Sequence, residues 1–296
     1  MGRASTERPV VMITGCSEGG IGYALARAFT AEDCFVVATA RSLESMGGLE
    51  GDPRFFLQEV DVQCDLSIQK AVGASLGKFG RIDVLVNNAG VHCVAPLAEV
   101  PMSSVESVFD TNVYGPLRLI QAVVPHMVMR KRGKIVNVGS ITGLVSGPWA
   151  GAYSASKAAL HNLTDTLRLE LSPFGIDVIS VVPGSVKSNI GLSSLSIYKR
   201  MPEWKLYKRF EPLIRMRTDY SQCIRSTPAE EIARKVVAAV LSQYPPPYLT
   251  YGHLSGSFAI LYHLPLFIRD FIIRLAMKLP LRSLGQAHYL KRKKSS

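Results

Sequence analysis

An α/β fold with a doubly wound parallel sheet of about seven strands is what this sequence predicts, and three observations carry the prediction. Short apolar runs alternate with segments of helical spacing from Pro9 to about residue 250. A glycine cluster joins the first apolar run to the first helical segment. The residues with acid–base or anion-binding chemistry fall just after the apolar runs, where an open parallel sheet gathers its ligands.

Residues 9–13 read as a buried strand that enters Thr14-Gly-Cys-Ser-Glu-Gly-Gly-Ile-Gly22, and residues 23–29 have helical spacing. Strand, glycine turn and helix start together make an anion site. Bare amides and the positive helix end face a pyrophosphate, and a Cβ would block its approach. The unit is therefore Rossmann-type. Residues 34–39 form the second strand, and Arg41 follows with no carboxylate between Val36 and Ser42. An acidic residue there holds ribose hydroxyls, whereas an Arg accommodates a 2′-phosphate, so Arg41 favours NADP(H). Residues 55–60 are the third strand, ending at Asp61-Val62, and residues 66–79 a helix. The fourth strand, residues 82–86, runs into Asn87-Asn88-Ala89-Gly90, and a long helix over residues 103–129 contains Asn112.

The fifth strand, residues 134–139, delivers Ser140, and a glycine-punctuated loop leads to Tyr153-Ser-Ala-Ser-Lys157. The apolar spacing after Tyr153 is helical, which puts Tyr153 and Lys157 one turn apart on one face. A phenol titrating near ~10 is a poor acid or base at neutral pH, and a neighbouring ammonium favours its phenolate. A hydroxyl such as Ser140 can hydrogen-bond a substrate oxygen whose charge changes as Tyr153 moves a proton. The sixth strand, residues 176–182, ends at Pro183-Gly184-Ser185-Val186-Lys187-Ser188. Thr227 is expected to cap a helix running to Gln243, and residues 248–251 make the seventh strand. This divides the chain into a tail at 1–8, a catalytic domain at 9–252 with a lid at about 190–226, and an extension at 253–296.

With 47% apolar and 19% charged residues the chain can bury a substantial core. The five cysteines are scattered and show no CxxC or metal-ligand spacing, which predicts reduced thiols and no metal site. The short polar start is expected to leave no room for a signal peptide. The net charge of +11 is uneven: residues 192–226 carry 8 Lys/Arg against 3 acidic residues and residues 266–296 carry 8 against 1, while the remainder is nearly balanced at 18 against 19. The basic character thus belongs to two local patches, and without a reader motif it does not predict a nucleic-acid partner. In the lid, Lys199, Arg200, Lys205, Lys208, Arg209, Arg215 and Arg217 are interleaved with Ile197, Tyr198, Trp204, Tyr207 and Phe210. The mixture suits an amphiphile carrying a phosphate or carboxylate beside an apolar chain, with Lys205, Lys208 and Arg209 the expected substrate contacts. A solvated lid with snorkelling side chains fits the same pattern.

The tail has an apolar run over residues 258–268, and then Arg269, Arg274 and Lys278 enter a stretch rich in Phe, Ile and Leu. No segment supplies the roughly 18 uncharged residues of a membrane-spanning helix. An amphipathic C-terminal helix lying in a membrane interface is expected, with Lys291-Arg292-Lys293-Lys294 adding attraction to anionic lipid. A helix packed over the cleft and a homo-oligomer contact are the other uses such a stretch has.

Thr14-Gly15, Gly20-Ile21-Gly22, Asp61-Val62, Asn87-Asn88-Ala89-Gly90, Asn112, Ser140, Tyr153-x-x-x-Lys157 and Pro183-Gly184 together resemble the classical short-chain dehydrogenase/reductase family over residues 9–250. The resemblance implies that Tyr153 is the catalytic acid/base. Lys157 would lower its pKa and hold the nicotinamide ribose, Ser140 would polarise the carbonyl, and Asn112 would support a proton relay to Lys157. It further implies that Gly15, Ile21 and Gly22 cradle NADPH or NADP+, that Asp61 and Val62 meet adenine, and that Asn88 and Ala89 flank the cofactor. Val186 and Ser188 would line the nicotinamide side. One departure is that four residues, Cys16 to Gly19, separate Gly15 from Gly20 where the family has three, so Glu18 must turn away from the phosphates. Within the family, the loop at residues 143–148, the basic lid and the Lys-terminated tail resemble the NADPH-dependent 1-acyldihydroxyacetone-phosphate reductases. These are lipid enzymes of the cytosolic face of the endoplasmic reticulum and of lipid droplets. The runs at residues 38–41 and 109–112 resemble the steroid and retinol dehydrogenases instead. The expected reaction is reduction of a lipid ketone; a 17-ketosteroid or retinal reductase and a non-catalytic NADP(H)-binding lipid-droplet protein are the alternatives.

Overall fold

The computed structural model describes residues 8–218 and 225–279. Its strands are β1 (Val10–Thr14), β2 (Phe35–Ala40), β3 (Phe55–Glu59), β4 (Val84–Asn87), β5 (Gly133–Val138), β6 (Ile176–Pro183), β7 (Val186–Lys187), β8 (Thr227–Pro228) and β9 (Tyr248–Tyr251). Seven of them form one sheet in the order β3-β2-β1-β4-β5-β6-β9, and every pairing is parallel. The chain moves outward from β1 to β3, then returns to the other side of β1 at β4. That reversal opens a crevice beyond the C-terminal ends of β1 and β4.

Helices α1 (Ile21–Ala31), α2 (Asp65–Phe79), α3 (Met102–Phe109), α4 (Gly115–Met129), α5 (Gly151–Leu171) and α8 (Ala229–Leu241) flank the sheet. Neighbouring residues of a strand point to opposite faces, so β1 feeds two cores. Val11 and Ile13 join Leu25 and Phe29 of α1 and Val236 and Val237 of α8. Met12 joins Leu85 of β4, Ile120, Val123 and Met127 of α4, and Leu171 of α5. Phe29 is fully buried, and truncating such a side chain to Ala costs about 3–5 kcal/mol.

The N-terminal edge of the sheet is closed by charge. Asp83 accepts a hydrogen bond from the Val10 amide at 2.9 Å and pairs with Arg130 at 2.8 Å and Arg81 at 3.0 Å. These partners hold its carboxyl below the usual range although burial alone would raise it. Midway, Asn87 donates to Asn137 at 2.8 Å and Asn137 to Thr164 at 2.9 Å. This buried ladder locks β4, β5 and α5 in one register. The C-terminal edge, by contrast, opens into a cleft.

Several local expectations change. The helix over 103–129 is interrupted by a π-helical turn, Asp110–Tyr114, which carries Asn112; such turns concentrate at functional sites. Thr227 does not cap α8, which starts after Pro228. It pairs with Val186 in the β7–β8 ladder, and its hydroxyl accepts from the His253 amide at 2.9 Å. The lid consists of α6 (Ile190–Tyr198), a short 3₁₀ turn and α7 (Glu211–Thr218). In the extension, Pro265 separates α9 (Ser255–His263) from α10 (Leu266–Ala276). The basic cluster Lys291–Lys294 lies outside the described residues.

Gly22 shows how tightly the first helix is docked. A Cβ there would stand 2.3 Å from the Gly15 carbonyl oxygen and 2.5 Å from Asn88 Nδ2. Gly73, inside α2, would meet nothing within 4 Å. Gly22→Ala is therefore expected to destabilise the protein by about 1–3 kcal/mol, whereas Gly73→Ala stabilises it by about 0.5–1 kcal/mol. Denaturant melts of the two variants check this, and a neutral Gly22→Ala would contradict the docking described here.

Candidate active site

The crevice beyond β1 and β4 is a cleft of about 350 Å³, within the range of small-ligand pockets. One end is built by the β1–α1 turn. Gly15 has φ +73°, and a Cβ on it would stand 2.9 Å from Ala89 Cα. Thr14 fixes the partner loop, its hydroxyl accepting from the amides of Asn88 and Ala89 at 3.0 Å. Asn88 returns a hydrogen bond to the Thr14 carbonyl at 2.8 Å. Helix α1 begins at Gly20 with no side-chain cap and no acidic residue in its first turn. Its positive end is thus presented to an anion.

Gly15, Ile21, Arg41, Asp61, Val62, Asn88, Ala89, Ser140, Tyr153, Lys157, Val186 and Ser188 all line the cleft. Gly22 lies just beneath the turn. Glu18, the residue beside the insertion, faces Gly48 instead. Its backbone is tied to Ser45 and Asn189. The extra residue is thereby absorbed against the turn at Glu44–Leu49, and the carboxylate leaves the phosphate side. Bare amides, a narrow glycine approach and Arg41 at the far end fit a dinucleotide carrying a 2′-phosphate.

At the inner end stand Ser140, Tyr153 and Lys157. The Thr142 hydroxyl donates to Ser140 Oγ at 2.9 Å, and the Ser140 hydroxyl is near enough to the Tyr153 phenol to pull its pKa down. The Ser140 amide donates to His161 Nε2 at 3.2 Å, so this imidazole is neutral, with its proton on Nδ1. Lys157 Nζ donates to the Val138 carbonyl at 2.9 Å and lies 5.8 Å from the Tyr153 ring centre. Burial raises Tyr153 above the usual phenol range, against a downward pull from the Ser140 hydroxyl and the Arg217 charge. Burial also lowers Lys157 to about 8. Tyr153 is therefore held as a protonated phenol at neutral pH, the form that donates a proton.

Asn112 is completely buried and does not line the cleft. Its amide clamps Val91, accepting from the backbone N–H at 2.8 Å and donating to the carbonyl at 2.9 Å, and also donates to Ser156 at 3.0 Å. A Cβ on Gly90 would lie 3.3 Å from Asn112 Oδ1 and 3.5 Å from Lys157 Nζ. Asn112 and Lys157 thus press on one glycine from two sides.

Lys205, Lys208 and Arg209, expected at the substrate, do not line the cleft. All three are exposed. Lys208 pairs with Glu203 at 2.5 Å, and Arg209 covers the Phe210 ring at 4.7 Å. The aromatic residues between them turn inward: Trp204, Tyr207 and Phe210 pack with Trp149 and Ile214. Glu99 fixes that turn by accepting from the amides of Lys205, Leu206 and Tyr207 at 2.9, 2.8 and 3.3 Å. The alternation was therefore packing, with the cations outside.

The cleft also has walls that the motifs did not mark. His92 stacks edge-on against Tyr153 with ring centres 4.5 Å apart, and its Nδ1 is 3.0 Å from Ser194 Oγ on α6. Arg217 of α7 and Leu254 and Phe258 of the extension complete the lining. Helical spacing held part of the signal: Ile214, Arg217 and Thr218 share a face of α7, and Leu254 and Phe258 are one turn apart. His92 belongs to a loop, and no periodicity announces it.

Burial depresses both histidines, His161 to about 4 and His92 to about 3. Below the ordinary histidine value of about 6.5 the unfolded chain takes up protons that the folded chain refuses. Their contribution to stability is complete above that value and is lost as the pH falls toward 4 and then 3, by up to about 1.4 kcal/mol per pH unit for each. His161→Gln, which retains an acceptor for the Ser140 amide, is expected to flatten the fall in melting temperature between pH 6.5 and 4. An unchanged acid profile would contradict this assignment.

Residues 9–196 match the family model described as short chain dehydrogenase. The chain is 37% identical over 269 residues to the short-chain dehydrogenase ptmH of Penicillium ochrochloron, covering 90% of this chain and 97% of that protein. It is 34% identical over 292 residues to the NADPH-dependent 1-acyldihydroxyacetone phosphate reductase of Schizosaccharomyces pombe, covering 94% and 97%. Among solved structures, a short-chain dehydrogenase from Streptomyces avermitilis superposes with a TM-score of 0.74 at 27% identity, covering 99% of this chain and 100% of that one. With its parallel sheet, its glycine turn and its buried Ser140–Tyr153–Lys157 cluster, the chain belongs to the short-chain dehydrogenase family of oxidoreductases.

Proposed function

We propose that this protein reduces a lipid ketone with NADPH, and that its substrate is 1-acyldihydroxyacetone phosphate, converted to 1-acylglycerol 3-phosphate. NADP(H) is the cofactor. The Schizosaccharomyces pombe relative, similar over nearly the whole chain, supports the choice of substrate. The observation that carries the reaction is the buried phenol of Tyr153, kept protonated beside Ser140.

Gly15, Gly20 and Ile21 would hold the pyrophosphate, Arg41 the 2′-phosphate, and Asp61 and Val62 the adenine. When bound, the nicotinamide supplies the hydride for the carbonyl carbon. Ser140 donates a hydrogen bond to the carbonyl oxygen, and Tyr153 gives that oxygen its proton. The Lys157 ammonium, fixed by the Val138 carbonyl, faces the phenolate that remains and favours it electrostatically. His92, edge-on against the Tyr153 ring, covers one side of the reacting centre.

The extension supports work at a lipid surface. No helix among the described residues is long and apolar enough to cross a membrane. Phe267, Phe271 and Leu275 nevertheless form a stripe along α10 at helical spacing, and they are 74%, 54% and 63% exposed. Arg269, Arg274 and Lys278 accompany them, which matches an anionic phospholipid surface. The proposed place is the cytosolic face of the endoplasmic reticulum or a lipid droplet.

Two experiments test this. NADPH oxidation by the purified protein in detergent micelles should be faster with 1-acyldihydroxyacetone phosphate than with a 17-ketosteroid or retinal. Tyr153→Phe should lower kcat roughly 10²- to 10⁴-fold while NADPH still binds. Preference for steroid or retinal, or an active Tyr153→Phe, would overturn the proposal. Separately, the protein should float with vesicles containing phosphatidylserine, and Phe267→Glu with Phe271→Glu should weaken that binding at least about tenfold. Equal flotation of wild type and double variant would remove α10 as the contact.

A further inference from the structure

We infer that Arg217 is the specificity-determining residue for an anionic group on the substrate: it holds a phosphomonoester carried next to the reacting ketone. The inference rests on the lipid-ketone reading above and assigns the head group to a residue of the lid.

Helix α7 carries two kinds of cation. Arg215 is exposed, whereas Ile214 is buried in the aromatic lid cluster with Trp149 and Trp204. Anchoring Ile214 turns positions three and four residues later inward. Those positions are Arg217 and Thr218, and both line the cleft. Among the described residues three cationic side chains line it: Arg41, Lys157 and Arg217. Arg41 follows β2 at the dinucleotide end, and Lys157 is committed to the Val138 carbonyl beneath the tyrosine. Arg217 stands on the lid side of the cleft, near enough for its charge to act on both Tyr153 and His92.

The chemistry of the substrate requires a cation at that position. In an acyldihydroxyacetone phosphate the phosphorus is three bonds from the carbonyl carbon. A side chain that binds the phosphate while Tyr153 reaches the ketone oxygen must therefore stand close to Tyr153. Lys205, Lys208 and Arg209, on the outer surface, cannot reach it. An Arg fork suits the task because it binds phosphate oxygens in a bidentate manner. Ile190, Leu254 and Phe258 line the same cleft and offer an apolar path for the acyl chain.

The test compares two ketones that differ only in the phosphate: 1-acyldihydroxyacetone phosphate and 1-acyldihydroxyacetone. The ratio of their kcat/KM values is measured for wild type, Arg217→Gln, Arg217→Lys and Lys208→Gln. NADPH binding by fluorescence verifies that each variant is folded. Arg217→Gln is expected to reduce the phosphate preference roughly 10- to 100-fold, mainly through KM. Arg217→Lys should recover part of it, and Lys208→Gln should leave the ratio unchanged. A ratio that survives in Arg217→Gln overturns the inference, as does a loss of NADPH affinity equal to the loss of activity. If the wild type reduces neither ketone, the proposed function falls and binding decides the site. The NADP+-loaded protein is then titrated with dodecyl phosphate and dodecanol. Phosphate-selective binding that Arg217→Gln abolishes upholds the anion site, and equal binding of the two amphiphiles overturns it.

Discussion

A buried ammonium organises this molecule. Lys157 is almost fully enclosed, and desolvation lowers its pKa to about 8. Such a charge is tolerated only where fixed dipoles replace its water. The Val138 carbonyl at the end of β5 is one such dipole. Asn112 and Gly90 close the space beside it, and the π-helical turn between α3 and α4 brings Asn112 there. The neighbouring histidine must then stay uncharged, and His161 does so by accepting from the Ser140 amide. One electrostatic requirement thus links β5, α5, the π turn and the loop after β4.

The two edges of the sheet show how stability and function are divided. At the N-terminal edge Asp83 has both its carboxylate oxygens used by Val10, Arg81 and Arg130, which ties β1, β4 and α4 together. At the C-terminal edge the α1 amides lack a side-chain cap, and Gly15 and Gly22 make the approach narrow. The extension then contributes Leu254 and Phe258 to the same cleft, while α10 turns apolar residues outward. An exposed apolar stripe and part of the cleft wall thus belong to adjoining elements of the extension.

The parallel sheet was legible because each strand is a short apolar run and each turn has its own chemistry. The glycines before α1 and the Tyr153/Lys157 spacing also survive translation from sequence to geometry, since both are local. What was not legible depends on which way a helix rolls. The lid's basic residues looked like a single patch, yet Ile214 and Trp204 anchor it so that Lys205, Lys208 and Arg209 face outward and Arg217 faces inward. Burial was not legible either: spacing along a helix gives proximity but not enclosure, and here burial raises the Tyr153 phenol and lowers Lys157. His92 meets Tyr153 through a loop whose path only the packed structure determines.

The central claim is that this cleft delivers hydride to a lipid ketone while Tyr153 supplies the proton. The most direct measurement follows the hydrogen itself. The protein is incubated with 1-acyldihydroxyacetone phosphate and NADPH dideuterated at nicotinamide C4, and the product is examined by mass spectrometry. One deuterium on the central carbon of the glycerol, absent when Tyr153→Phe replaces the wild type, is the predicted result. Product without deuterium at that carbon, or no product from a wild-type protein saturated with NADPH, would contradict the account.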